Sequence, residues 1–179
     1  MARKGMLLVY TGDGKGKTTA SLGVTLRAIG RGMSVKYFQF IKSPERTYGE
    51  QIALRKLGVE TMQLGIGFTW TKTPEEHREA LKNAWSIVKK ELQDETTDLL
   101  VLDELNNALA ISKFPIEDVL PLQEVLEAIQ NRPAKMHLVV TGRSAHPALL
   151  EMADLVSTID ATKHYYEDQD VMAMKGLEF

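Results

Sequence analysis

The densest chemistry in this sequence is Thr11-Gly12-Asp13-Gly14-Lys15-Gly16-Lys17-Thr18-Thr19. It follows an apolar run and opens a helical pattern, the context in which a glycine-rich loop cradles phosphate. Gly12, Gly14 and Gly16 let the backbone curl so that successive N–H groups face phosphate oxygens. The helix that starts near Lys17 adds the positive end of its dipole. Lys17 supplies a mobile charge, and the Thr18 hydroxyl can ligate Mg²⁺. The loop is a variant, because Thr11 stands where the general G-x-x-x-x-G-K-[ST] pattern has its first glycine. The plain alternative is a glycine-rich strand-to-helix turn.

A second acidic element is Leu99-Leu100-Val101-Leu102-Asp103-Glu104, an apolar strand ending in two carboxylates. Ligands of open α/β sheets bind at such C-terminal strand edges. Asp103 or Glu104 can hold Mg²⁺ directly or through water; the sequence leaves open which. A third element is Gly65-Ile66-Gly67-Phe68-Thr69-Trp70-Thr71. Phe68 and Trp70 are either buried staples for the loop or a flat apolar contact for a large planar ligand. Arg143, at a strand end, is a candidate phosphate contact or a surface arginine. His77, His137, His146 and His164 show no catalytic or metal-ligand spacing and read as structural or exposed.

These residues need a scaffold, and the periodicity supplies one. Residues Met6–Thr11, Val35–Phe40, Val59–Leu64, Leu99–Asp103, His137–Thr141 and Leu155–Ile159 read as strands, nearly continuous in apolar character. Strands buried on both faces of a parallel sheet look like this. Between them the patterns predict helices from Thr18 to about Arg31, Gly49 to Leu57, Pro74 to about Gln93, Pro121 to Gln130 and Pro147 to Met152. Gly32 and Gly58 sit where helices end. Thr73-Pro74-Glu75-Glu76 is a capping box, with Leu81, Ala84, Trp85 and Val88 as the buried stripe behind it. Residues Val171–Leu177 are expected to add an edge strand. The alternation predicts a parallel α/β sheet covered on both faces.

The composition narrows the setting. The 179 residues suit one domain spanning 1–179. The net charge of −2 argues against a protein that coats nucleic acid. The absence of cysteine removes disulfides, thiolate catalysis and thiolate metal sites. No run approaches the ~20 apolar residues of a membrane span, and the apolar run behind the N-terminus is too short for a signal peptide. A cytoplasmic protein is expected.

Taken together, the motifs resemble the P-loop class of ATP:corrinoid adenosyltransferases. The resemblance runs in family order over nearly the whole chain: Gly12 to Thr19, Gln39-Phe40-Ile41-Lys42, Tyr48-Gly49-Glu50 and Gly67-Phe68-Thr69-Trp70, then Val101 to Asn106, Asn131-Arg132-Pro133, Val140 to Arg143, Ala153 to Val156, and Lys163-His164. Two departures stand out. Ser43 occupies a place where members often have glycine, and only five residues precede the first strand, whereas longer members carry an extension that helps cover the site.

The resemblance implies a three-layer P-loop NTPase (RecA-like) fold with a mostly parallel sheet. It implies that Co(I) of a corrinoid attacks C5′ of ATP and that intact triphosphate leaves, with the nucleotide reversed relative to ordinary P-loop ATPases. Residues Gly12 to Thr19 with Arg143 would bind the nucleotide. Lys17 and Thr18 would be the catalytic pair, and Thr18, Asp103 and Glu104 would hold Mg²⁺ or Mn²⁺. Phe68 and Trp70 would face the corrinoid and displace its lower axial ligand, which eases reduction of Co(II). A flavodoxin or flavin reductase would deliver the electron to a homodimer. Two other readings of the same loop are a phosphoryl-transfer ATPase or kinase and a non-catalytic corrinoid carrier.

Overall fold

A computed structural model describes residues 4–67 and 72–179. Six strands form one sheet: β1 (Leu7–Thr11), β2 (Val35–Gln39), β3 (Glu60–Gln63), β4 (Leu99–Asp103), β5 (His137–Thr141) and β6 (Leu155–Thr158). Their order is β3-β2-β4-β5-β1-β6, and every ladder is parallel. The expected strands are all present, with ends shifted by at most a residue.

Seven helices are described: α1 (Lys17–Ile29), α2 (Gly49–Lys56), α3 (Pro74–Glu91), α4 (Leu105–Leu109), α5 (Leu122–Gln130), α6 (Pro147–Met152) and α7 (Tyr165–Gln169). The two short ones, α4 and α7, carry no sustained apolar stripe, which is why periodicity did not announce them. The expected edge strand over Val171–Leu177 does not form. Residues 171–174 are irregular and 175–178 form a turn, closed by Glu178 N–H donating to Met174 O at 3.0 Å. This segment makes no ladder with β6, the strand at that edge of the sheet.

Strand periodicity builds the two cores. Leu100 and Leu102 of β4, with Leu138 and Val140 of β5, join Leu81, Trp85 and Val88 of α3 and Val125 and Ile129 of α5 on one face. Leu99, Val101 and Val139 point the other way and pack with Tyr37, Ala28 of α1 and Leu54 of α2. All five residues of β4 are buried, and each such aliphatic side chain contributes about 1.5–3 kcal/mol of transfer free energy. β4, which carries Asp103, is thus the most buried strand of the sheet.

The capping box of α3 is in place. Glu76 N–H donates to Thr73 Oγ1 at 3.2 Å, and Thr73 N–H donates to Glu76 Oε2 at 2.8 Å. Thr73→Ala should therefore cost about 1 kcal/mol. Urea unfolding would show it as a lower midpoint at unchanged slope, and an unmoved midpoint would mean that the cap contributes nothing.

Candidate functional site

The C-terminal ends of β1, β4, β5 and β2 converge on one cleft. The phosphate loop leaves β1 with Gly12 at φ 96° and reaches α1 through Gly16 at φ 117°, a conformation that L side chains rarely adopt. Gly14 is constrained differently. A Cβ there would lie 2.6 Å from the Asp160 carbonyl carbon. The Gly14 N–H donates to Ile159 O at 2.8 Å, so the segment after β6 braces the loop from behind.

Lys17 lies back along this loop, donating to Gly12 O at 2.6 Å and Gly14 O at 2.5 Å. Burial lowers the Lys17 pKa, and the nearby positive charge of Arg143 lowers it further, against Asp13 and Glu104, which raise it. The influence of Arg143 places its exposed side chain within electrostatic reach of the loop, and its backbone N–H donates to Asn107 Oδ1 at 2.8 Å. Lys15 pairs with Glu178 from the end of the chain. Asp13 and Thr19 are exposed.

The acidic side is organised around Asp103, which is fully buried. Its Oδ1 accepts from Thr18 Oγ1 at 2.9 Å and from Thr141 Oγ1 at 2.6 Å, and its Oδ2 accepts from Gln39 Nε2 at 3.1 Å. Gln39 also donates to Glu50 Oε1 at 3.2 Å, and Glu50 pairs with Lys42. Glu104 follows at φ 63°, an unusual conformation for a side-chain-bearing residue, and its N–H donates to Thr141 Oγ1 at 3.0 Å. The structure thus brings together Gly12, Gly14, Lys15, Gly16, Lys17, Thr18, Asp103 and Glu104, with Arg143 at the rim.

Sequence reasoning gave no role to Gln39, Lys42, Glu50 and Thr141. The signal was present: a polar residue closing an apolar strand, at Gln39 and Thr141, repeats the pattern that singled out Asp103. Phe68 and Trp70 lie outside the described residues. The histidines are structural. His146 and His164 cap α6 and α7, each Nδ1 accepting a backbone N–H at 3.2 Å. His137 Nδ1 accepts from Met6 N–H at 3.1 Å, and His77 is buried against Phe114.

Thr18 and Asp103 offer only oxygen atoms, the donor type that Mg²⁺ and Mn²⁺ prefer, and few of them, as suits an ion that keeps water and shares its remaining positions with phosphate. Among the described residues no group of three or more His, Asp or Glu side chains is disposed to hold an ion.

Burial, and then the neighbouring charge of Asp103, push Glu104 up to about 7 from an ordinary 4.5. The folded protein keeps this proton at a pH where the unfolded chain has released it. The resulting stabilisation is complete below about pH 4.5 and is lost as pH rises to about 7. In metal-free protein, Glu104→Gln should flatten the fall in thermal midpoint across that window. An unchanged slope in the variant would assign the pH dependence to another group.

The family model described as "ATP:corrinoid adenosyltransferase BtuR/CobO/CobP" matches residues 3–179. The corrinoid adenosyltransferase of Escherichia coli K12 is 39% identical over 177 residues, 98% of this chain and 86% of that protein. The one from Pseudomonas aeruginosa is 41% identical over 180 residues, 98% of this chain and 84% of that protein. Among solved structures, the flagellar accessory protein FlaH of Methanocaldococcus jannaschii superposes with a TM-score of 0.50 at 11% identity, over 87% of this chain and 71% of that one, a likeness of fold alone.

Proposed function

The chain belongs to the family of ATP:corrinoid adenosyltransferases, and on that premise we propose that ATP and a reduced corrinoid meet in the cleft above β1, β4 and β5. The observation that carries this is the pairing of two halves of one site. Lys17 lies along the phosphate loop, and one helical residue later Thr18 donates to the buried Asp103 at 2.9 Å. The substrate's own cobalt is the nucleophile. As Co(I) it gives an electron pair to C5′, the cobalt–carbon bond forms, the C5′–O bond breaks, and the triphosphate departs with the bonding electrons.

The protein's part is orientation and charge. Loop N–H groups, Lys17, Lys15 and Arg143 stabilise the negative charge that gathers on the leaving triphosphate. Thr18 and Asp103, with Glu104 beside them, would hold Mg²⁺ or Mn²⁺, which when bound adds positive charge against the phosphates. Phe68 and Trp70 would present apolar faces to the corrinoid and exclude the cobalt's lower ligand. We take the chain to work as a single-domain protomer of a cytoplasmic homodimer, with the corrinoid's Co(II) reduced to Co(I) by a flavodoxin or flavin reductase. No described helix is long and apolar enough to cross a membrane.

Incubation with ATP, Mg²⁺ and chemically reduced cobalamin should release triphosphate. ADP and phosphate instead would make the protein a phosphoryl-transfer enzyme. Lys17→Ala should lose about 10²–10³-fold in rate with its fold intact; near-normal turnover in that variant would remove the loop from the mechanism.

The aromatic loop is tested separately. Phe68→Ala and Trp70→Ala should depress activity sharply when Co(II) is supplied with a mild biological reductant, and far less when Co(I) is made beforehand. ATP affinity should hold. A selective loss of ATP affinity would move these aromatics to the adenine.

A further inference from the structure

The end of the chain reaches into the nucleotide cleft. Both oxygens of Glu178 are engaged: Lys15 of the phosphate loop donates to Oε2, and the hydroxyl of Tyr165 on α7 donates to Oε1. Lys15 Nζ also stands 5.4 Å from the centre of the Tyr165 ring. One residue further, the Phe179 carbonyl lies 3.8–3.9 Å from where a Cβ on Gly49 would be, at the first residue of α2. Gly49 adjoins Glu50, which belongs to the acidic network through Gln39. In the sheet, β4 and β5 separate β1 from β2. A segment that touches the loop after β1 and the helix after β2 therefore bridges the cleft above Asp103 and Thr141.

This segment is held by polar contacts more than by packing. Met172 is 70% exposed and Leu177 71% exposed, so little apolar burial resists its removal. Its main electrostatic anchor is a lysine that a triphosphate would also engage. Glu178 and the nucleotide are competing anions for one cation.

We propose that residues 171–179 form a strap across the nucleotide cleft, and that Glu178 is a positioning residue that holds Lys15 until the triphosphate takes its place. The proposal rests on the placement of the phosphates in the Gly12–Thr18 loop. The strap then opens as ATP enters and returns as triphosphate leaves, with Glu178 helping to expel the product by reclaiming Lys15.

The experiment is ATP binding by calorimetry on four full-length proteins: wild type, Glu178→Gln, Glu178→Asp and Lys15→Gln. Glu178→Gln should bind ATP several-fold tighter, Glu178→Asp should stay near wild type, and Lys15→Gln should bind more weakly. Hydrogen–deuterium exchange supplies a second readout, since the amides of residues 171–179 exchange faster when the strap is free. ATP should speed their exchange. Unchanged or weaker binding by Glu178→Gln while Lys15→Gln is impaired would overturn the strap alone, as would exchange of residues 171–179 that ATP leaves unchanged or slows. Normal ATP binding by Lys15→Gln would overturn the phosphate placement at this lysine and the strap with it.

Discussion

A buried carboxylate is costly unless its oxygens are occupied, and the site is arranged around meeting that cost at Asp103. Its three donors come from three parts of the fold: Thr18 from α1, Thr141 from β5 and Gln39 from β2. None is near it in sequence, so the contacts exist only when four strands stand in register. That register, Gln39 beside Asp103 and Leu102 beside Val140, is a property of the whole sheet. The phosphate loop inherits its place from the same constraint, because Thr18 is tied to both the loop and the carboxylate. Breaking one donor would leave a buried acceptor short of a partner, at about 1–3 kcal/mol.

The cleft is divided by sign. Lys15, Lys17 and Arg143 line the side of the phosphate loop; Asp103, Glu104 and Glu50 line the side of β4 and α2. Lys42 offsets part of the second wall by pairing with Glu50, and burial with the charge of Asp103 lifts the Glu104 pKa. Charge of one sign thus faces charge of the other across the cleft. The same polarity explains why Glu178 pairs with Lys15.

Much of this was legible before any coordinates. The strands were apolar runs of the right length, and α3 announced itself through Thr73-Pro74-Glu75-Glu76. The phosphate loop and Asp103 were marked by residue type and position on a strand. What was not legible depends on contacts between distant parts of the chain. Thr141 is an unremarkable strand end until β5 is inserted between β1 and β4. Gln39 gains a role only when β2 pairs with β4. At the end of the chain, residues 171–177 suggest an edge strand, and nothing local shows that Glu178 is drawn instead to Lys15, 163 residues away.

The sheet order also governs when this protein can come into being. β1 emerges first from the ribosome, yet both its neighbours, β5 and β6, lie at residues 137–141 and 155–158. Until they appear, the opening strand has no partners and the loop after it has no brace, since Ile159 and Asp160 supply that brace. β2, β3 and β4 can pair earlier among themselves. Closure of such long chain segments is slow, and an apolar strand left waiting is the exposed species that chaperones hold. The nucleotide pocket is thus assembled only after residues 155–160 have emerged, and ATP, which binds only the finished pocket, selectively stabilises chains in which these segments have paired.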